Sequence, residues 1–398
     1  MRIYLDHCAT TPLHPRVLAA MTGVLTEFGN PSTLYQEGRL ARQKVEASRA
    51  AVASLFGAPP ACVVFTSGGT ESNNAALCGW LAWSQHRGLP AHVVTTPMEH
   101  PSVLKTLTQG SFRPGGPGDT AYRLTLLPVD PCGRLDPQDL RRVLQKDPAC
   151  LVAISYVNHE LGNVFPVSEL ARIAHESGAV VHCDAVQAAG KCPIDVTRLG
   201  VDSLSISAHK FYGPKGIGAL LVTPPLGSCQ TAPLLPSFLL GGPQERGQRA
   251  GTENVPAIVG FGECARVAQE ELLPTLPTLL ERRRRLENGL LRWPGTRLFG
   301  DPLQRSPIVC NVGFEGVGGD LLLASLDLEG IAVSTGAACS SGGQTSSAVL
   351  RALGVAHDEA RQAVRFSIGR DTTAEQIDQT IACVGQILER IRSLGPPP

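Results

Sequence analysis

The run Ser205-Ile206-Ser207-Ala208-His209-Lys210-Phe211-Tyr212-Gly213-Pro214-Lys215-Gly216-Ile217-Gly218 decides how this chain reads. The β-prone residues Val201 to Ile206 lead into it, and a second apolar run, Ile217 to Val222, leaves it. Between them one lysine stands beside a histidine, ahead of a Gly/Pro turn, so Lys210 is held on a rigid turn between two strands. A lysine that serves as nucleophile or base must be partly desolvated and fixed in place, and this setting suits both needs. Taken alone, a loop lysine is more often solvated; the residues upstream change the balance.

Ala179 to Gln187 is an apolar strand run ending in one carboxylate, Asp184. Such an Asp is commonly a turn starter, yet the carboxyl ends of strands are where α/β sheets bind ligands. Pyridoxal phosphate works as an electron sink when its pyridinium nitrogen stays protonated, and an Asp is the usual partner of that nitrogen. Further upstream Ala61 to Thr66 reads as a strand, and Ser67-Gly68-Gly69-Thr70-Glu71-Ser72-Asn73-Asn74 as a Gly-rich turn opening a helix, a phosphate cradle of amides and hydroxyls. Ala91 to Pro97 is another short β run, followed by Met98-Glu99-His100-Pro101-Ser102, whose histidine suits ring stacking or proton relay.

Six motifs then fall in one order: Thr66 to Asn74, Glu99-His100 with Ser102, Asp184 to Gln187, Ser207 to Gly218, Arg249 to Pro256 and Ser334 to Cys339. In that order and over its whole length the chain resembles the NifS/IscS group of cysteine desulfurases, pyridoxal-phosphate enzymes of the class V aminotransferase family. The resemblance implies fold type I of these transferases. A large domain over 15–260 would carry a mostly parallel seven-stranded sheet, and a smaller α+β domain would combine 1–14 with 261–398. It implies Lys210 as the Schiff-base lysine that also moves the substrate's α-proton, Asp184 on the pyridinium nitrogen, and Gln187 on the ring hydroxyl. His100 would stack on the ring as acid/base. Gly69, Thr70, Ser207 and His209 would hold the phosphate, with Thr252 reaching it from a second subunit, so a homodimer is implied.

Arg365 would grip the substrate carboxylate through a bidentate fork, with Asn30 as a second candidate. Without the resemblance, Arg365 reads as a strand-end charge and Asn30 as a turn residue before proline. One position departs from the pattern: His159 stands where relatives commonly carry an Asn near the ring hydroxyl, so either His159 makes that contact or Gln187 makes it alone.

The nucleophile is read from Ser334-Thr335-Gly336-Ala337-Ala338-Cys339-Ser340-Ser341-Gly342-Gly343. A cysteine among small and hydroxyl residues can be exposed and mobile, unlike those in apolar runs, and reaction needs an accessible thiolate. By resemblance Cys339 takes sulfur from L-cysteine as a persulfide, alanine leaves, and a sulfur-acceptor protein, such as an iron-sulfur scaffold, receives it for iron-sulfur cluster or other sulfur-cofactor synthesis. Selenocysteine lyase shares the frame and differs in substrate. A pyridoxal-phosphate aminotransferase explains Lys210 and Asp184 but leaves Cys339 without a task, and a non-catalytic cofactor-binding scaffold leaves the whole constellation without one.

Composition narrows the rest. With 35 basic and 35 acidic side chains among 398 residues, nothing marks a nucleic-acid binder. The twelve cysteines form no CxxC and no cluster at metal-ligand spacing, so no metal is expected. No apolar run is long enough to span a bilayer, nor does a secretory segment open the chain, and the expected location is the cytoplasm.

Arg39 to Phe56 spaces Ala41, Val45, Ser48, Val52 and Leu55 as an amphipathic helix closed by Gly57. Asp136-Pro137 reads as N-cap and first residue of a helix to Leu144, and Pro166 to Ser177 as another. Alternation of such helices with short apolar runs predicts a mostly parallel sheet covered on both faces. The polar, glycine-rich stretch Gly241 to Asn254 reads as a solvated loop, Val255 to Leu291 as one long helical pattern, and Arg282 to Arg285 within it as a solvated face.

Overall fold

The computed structural model describes residues 2–109, 122–223, 235–335 and 346–393. A two-residue strand, β1 (Ile3–Tyr4), precedes the main sheet. That sheet is built from β2 (Val63–Thr66), β3 (His92–Thr95), β4 (Arg123–Leu126), β5 (Leu151–Ser155), β6 (Val180–Asp184), β7 (Ser203–Ser207) and β8 (Gly218–Val222). Their order is β2-β8-β7-β6-β5-β3-β4, and only β8 runs against its neighbours. The mostly parallel sheet expected from the alternation is therefore present, with the seven strands that the resemblance implied. In β5, β6 and β7 every residue is buried, as strands covered by helices on both faces are, and the serines of β7 are buried with its Leu204 and Ile206.

Register fixes where chemistry can sit. Ser155 pairs with Asp184, and Asp184 with Ser205, so β5, β6 and β7 end along one edge. That is the carboxyl edge of a parallel sheet, where the backbone leaves a crevice.

The predicted helices form as Gln36–Leu55, Pro137–Lys146 and Val167–Glu176. Asp136 accepts from the Gln138 amide as the cap, with Pro137 first in the helix. A second core lies around β9 (Thr296–Phe299), β10 (Val309–Phe314) and β12 (Ala363–Ser367), an antiparallel sheet ordered β12-β10-β9. β1 pairs in parallel with β11 (Ile331–Ala332) and buries Ile3, Leu5 and Cys8 in that core. Among the described residues no helix is long and apolar enough to cross a membrane.

Three local expectations differ. The long pattern from Val255 is two helices, Val255–Val267 and Leu273–Leu290, joined by a π turn at Ala268–Leu272. Pro274 is the second residue of the helix that follows; lacking an N–H and crowding the carbonyl four residues back, it favours a locally widened helix. The loop at 241–254 is not wholly solvated: Glu245 is buried, receives Arg49 through two bonds of 2.7 and 2.8 Å, and accepts the Phe65 amide. Nor is the arginine run wholly a solvated face, since Arg283 is buried and pairs with Glu287.

Candidate active site

Lys210 ends a short 3-10 turn, Ala208–Lys210, directly after β7. The segment Asp6 to Thr11 crosses beneath that turn and fixes it. The Thr11 amide and hydroxyl both donate to the His209 carbonyl at 2.9 Å, and the Tyr212 amide donates to the Thr11 hydroxyl at 2.6 Å. Tyr212 takes a left-handed backbone (φ 72), a strain of about 1 kcal/mol or more that these contacts sustain. Thus held, the Lys210 amine donates to the carbonyls of Cys8 (2.6 Å) and Ala9 (2.8 Å).

The amine opens on a cleft with about 580 Å³ of empty space. Nine residues singled out from sequence line it: Gly69, Thr70, His100, His159, Asp184, Gln187, Ser207, His209 and Lys210. The helix Gly69–His86 begins there with no side chain capping its first amides, so they and the helix dipole face the cleft. A methyl group on Gly69 would lie 2.5 Å from a Val186 methyl, and Gly68 has φ +153, so both glycines serve a close approach of backbone to the cleft. Uncapped amides beside Ser207 and His209 fit a phosphate. Asp184, with Oδ1 accepting the Val186 amide at 3.0 Å, offers the carboxylate a protonated pyridine nitrogen needs. The residues present therefore fit pyridoxal phosphate.

Proton positions around Asp184 follow from one donor-only group. The Trp80 indole N–H donates to the Ser203 hydroxyl (2.8 Å), which leaves the hydroxyl hydrogen for His182 Nδ1 (2.9 Å). His182 then carries its proton on Nε2 and donates to Asn73 Oδ1 (3.1 Å). That orients the Asn73 amide, whose Nδ2 donates at 2.8 Å to both Asp184 Oδ2 and the Ser102 hydroxyl. Ser102 passes its own hydrogen to His100 Nδ1 (2.8 Å), which puts the His100 proton on Nε2. Burial keeps both imidazoles neutral: His182 falls to about 3, and His100 is also lowered, chiefly by desolvation.

The second histidine, His159, meets His100 edge-on with ring centroids 5.3 Å apart. Burial, the neighbouring His100 and the Arg365 charge hold it well below the usual histidine range, so it too is neutral. Glu99 and Glu160 are buried carboxyls pushed up to about 7, mainly by desolvation and against the bonds from Ser155 and Thr96 to Glu99 and from Ser347 to Glu160.

The family profile described as Aminotransferase class-V matches residues 3–380. The chain belongs to the class-V aminotransferase family. One class-V relative, "Cysteine desulfurase IscS" of Methanosarcina thermophila, is 40% identical over 395 residues, covering 99% of this chain and 94% of the relative. A solved "NIFS-LIKE PROTEIN" superposes with TM-score 0.87 at 32% identity, covering 98% of this chain and 100% of that one. Another, "SspA in complex with cysteine", gives TM-score 0.78 at 30% identity over 94% of this chain and 100% of that one.

Three described residues that the class-V resemblance assigns are not among those lining the cleft. Arg365 is buried; its guanidinium donates to the His159 carbonyl (2.7 Å) and the Asp6 carboxylate (2.8 Å), while its Nε has no partner among the described residues. Asn30 Oδ1 accepts the Ser32 amide at 2.9 Å in a turn, as its sequence context suggests. Thr252 is exposed on its loop. Cys339 lies outside the described residues.

Sequence reasoning gave no role to Asn73, His182 or Lys191. His182 was legible in principle: two residues before Asp184 in a strand, it shares that residue's face. Asn73 stands one helical turn after Gly69, on the cleft side. Ser203 and Trp80 carried no signal, because strand register and long-range packing bring them in.

Proposed function

We propose that the protein is a pyridoxal-phosphate-dependent cysteine desulfurase, converting L-cysteine to L-alanine and passing the sulfur to its own Cys339. The observation that carries this reading is the shared cleft of Lys210, Asp184 and the uncapped helix start at Gly69, in a class-V chain 40% identical to a protein named cysteine desulfurase. Pyridoxal phosphate, when bound, supplies an electron sink for the substrate's amine-bearing carbon.

The chain's own residues do the rest. Gly69, Thr70, Ser207 and His209 hold the phosphate, and Thr252 joins them from a second copy, which makes the working unit a homodimer. Asp184, aligned by the Asn73 amide, would hold the proton on the pyridine nitrogen. Lys210 is anchor and, once released, the base that takes the α-proton at Nζ. His100, with its proton on Nε2, faces the ring as acid/base partner, and Gln187, with His159 beside it, addresses the ring hydroxyl. Arg365 receives the substrate carboxylate, with Asn30 as the second candidate. The Cys339 thiolate forms an S–S bond with the substrate sulfur as the carbon–sulfur bond breaks; the carbon gains a proton, so the products are alanine and a persulfide. A further sulfur-acceptor protein, such as an iron-sulfur scaffold, discharges that persulfide. The described cysteines are free thiols, in keeping with a reducing cytoplasm.

The test is sulfur-labelled L-cysteine. Stoichiometric label should appear on Cys339 with one alanine released, be lost in Cys339→Ala, and be lost with the yellow colour in Lys210→Ala. Label on another cysteine at the parent rate would remove Cys339 from the reaction, and a keto-acid product would replace desulfuration by transamination.

A further inference from the structure

One buried cation next to the cleft has no part in the chemistry above. Lys191 is 6% exposed and lies four residues beyond Gln187, on the turn that follows β6. Its amine donates to Gln187 Oε1 at 2.9 Å. That bond fixes the amide's orientation, so Gln187 Nε2 donates to the Cys8 carbonyl, also at 2.9 Å. The same carbonyl oxygen accepts from the Lys210 amine at 2.6 Å. One acceptor therefore joins both lysines through a single glutamine. The two lysines also share the wall of a second, smaller cavity with about 310 Å³ of empty space.

We infer that Lys191 is a positioning residue for Lys210: through Gln187 it sets the Cys8 carbonyl against the reactive amine, and it keeps a second positive charge beside that amine. This rests on the reading of Lys210 as the cofactor lysine. The charge has a clear direction, because like charges disfavour one another's ionised forms and Lys210 will release its proton at lower pH with Lys191 in place. The groups that face Lys191 do not cancel it. From the amino-terminal segment come His7 and Cys8, from its own turn Cys192, from the end of β7 His209 and Lys210, and from β12 Arg365. His7 and His209 are each held near pKa 4, mainly by burial, and are neutral. Arg370 and Tyr212 also line the cavity the two lysines share; the carboxylates close by act on other groups, Asp6 pairing with Arg365 at 2.8 Å and Asp371 with Arg370 beside His7, and among the described residues none is bonded to Lys191. Burial lowers Lys191 itself to about 8, so it still carries its charge at neutral pH.

The test separates charge from shape. Full-length protein freed of cofactor is acylated competitively across a pH series, and labelling of the Lys210 peptide is followed by mass spectrometry. Lys191→Met should move the Lys210 profile up by about one pH unit, the size expected of one nearby buried charge. Lys191→Arg, which keeps the charge, should stay close to the parent. In cofactor-loaded protein the pH at which the yellow absorbance changes should move in the same direction. Should Lys191→Met fail to fold, Lys191→Gln, which can still pair with Gln187, carries the same expectation. A Lys191→Met profile that superimposes on the parent, or one shifted no further than that of Lys191→Arg, overturns the inference. A parent protein that never binds pyridoxal phosphate at Lys210 overturns the proposed function instead, and leaves the acylation result standing.

Discussion

The hydrogen-bonded line from Trp80 to His100 makes a quantitative prediction at its midpoint. Asn73→Leu keeps the volume but removes two donors and one acceptor, from Asp184, Ser102 and His182. A lost bond to a charged acceptor costs about 1.5–3 kcal/mol, and an orphaned buried neutral donor about 1–3 kcal/mol. The substitution should therefore destabilise the protein by about 3–5 kcal/mol. His182→Phe orphans Asn73 Oδ1 and the Ser203 hydroxyl and should cost about 2–3 kcal/mol. In the double variant the second change removes a group already orphaned, so the two costs fall short of their sum by about 1–2 kcal/mol. Denaturant melts of the four proteins, cofactor-free and near neutral pH, give that coupling directly. If the two losses add within about 0.5 kcal/mol, as independent sites do, the proton order assigned to this line is wrong.

Stability should also depend on pH through Glu99 and Glu160. Their folded pKa, about 7, exceeds the ordinary 4.5, so the folded state holds the extra protons and stability falls as pH rises between those values, by up to about 3 kcal/mol for each. Glu99→Gln should flatten that slope in melts taken across the range, and an unchanged slope would exclude Glu99 as its source. On the acid side His182, neutral down to about 3 when folded, makes stability fall as pH drops below 6.5. Gly69→Ala drives a methyl into Val186 and should weaken pyridoxal phosphate binding about tenfold, roughly 1.4 kcal/mol, in an absorbance titration. Arg49→Met leaves Glu245 buried and uncompensated, at a cost of about 3–5 kcal/mol in melts, most of which Arg49→Met with Glu245→Met should restore.

What could be read from sequence was whatever depends on local pattern. The strand ends, the Gly-rich helix start and the lysine turn each carry their signal within about ten residues, and nine of the residues drawn from them meet in one cleft. The contacts that complete the site span far greater separations. Cys8 reaches Gln187 and Lys210 from the amino-terminal segment, which β1 docks on β11 and Ser367 holds through the Cys8 amide, and Arg49 reaches Glu245 across 196 positions. A buried lysine such as Lys191 reads in sequence as a surface charge, since lysine is rarely buried without a reason. Its acceptor Gln187 gave a faint hint through the four-residue spacing. Pro274 could have signalled the break in the long helix, but a π turn absorbs it without ending the helical course.

Charge around Lys210 then sets when the cleft accepts an anion. Just below pH 7 the histidines His7, His100, His159 and His209, all lowered chiefly by burial, are neutral, and Glu99 and Glu160 are mostly protonated. What remains is Lys191, Lys210 and Arg365 against Asp6 and Asp184, a formal excess of one positive charge. Raising the pH ionises the two glutamates near 7 and discharges Lys191 near 8, so the balance of the groups around the cleft turns negative. At the effective dielectric of such sites one unit charge at about 8 Å is worth about 2 kcal/mol, so affinity for pyridoxal phosphate should fall at least tenfold between pH 7 and 9. Pyridoxal, which lacks the phosphate, should lose much less. A parallel decline of both would place the effect at the Lys210 amine, and the surrounding charges would then have no part in it.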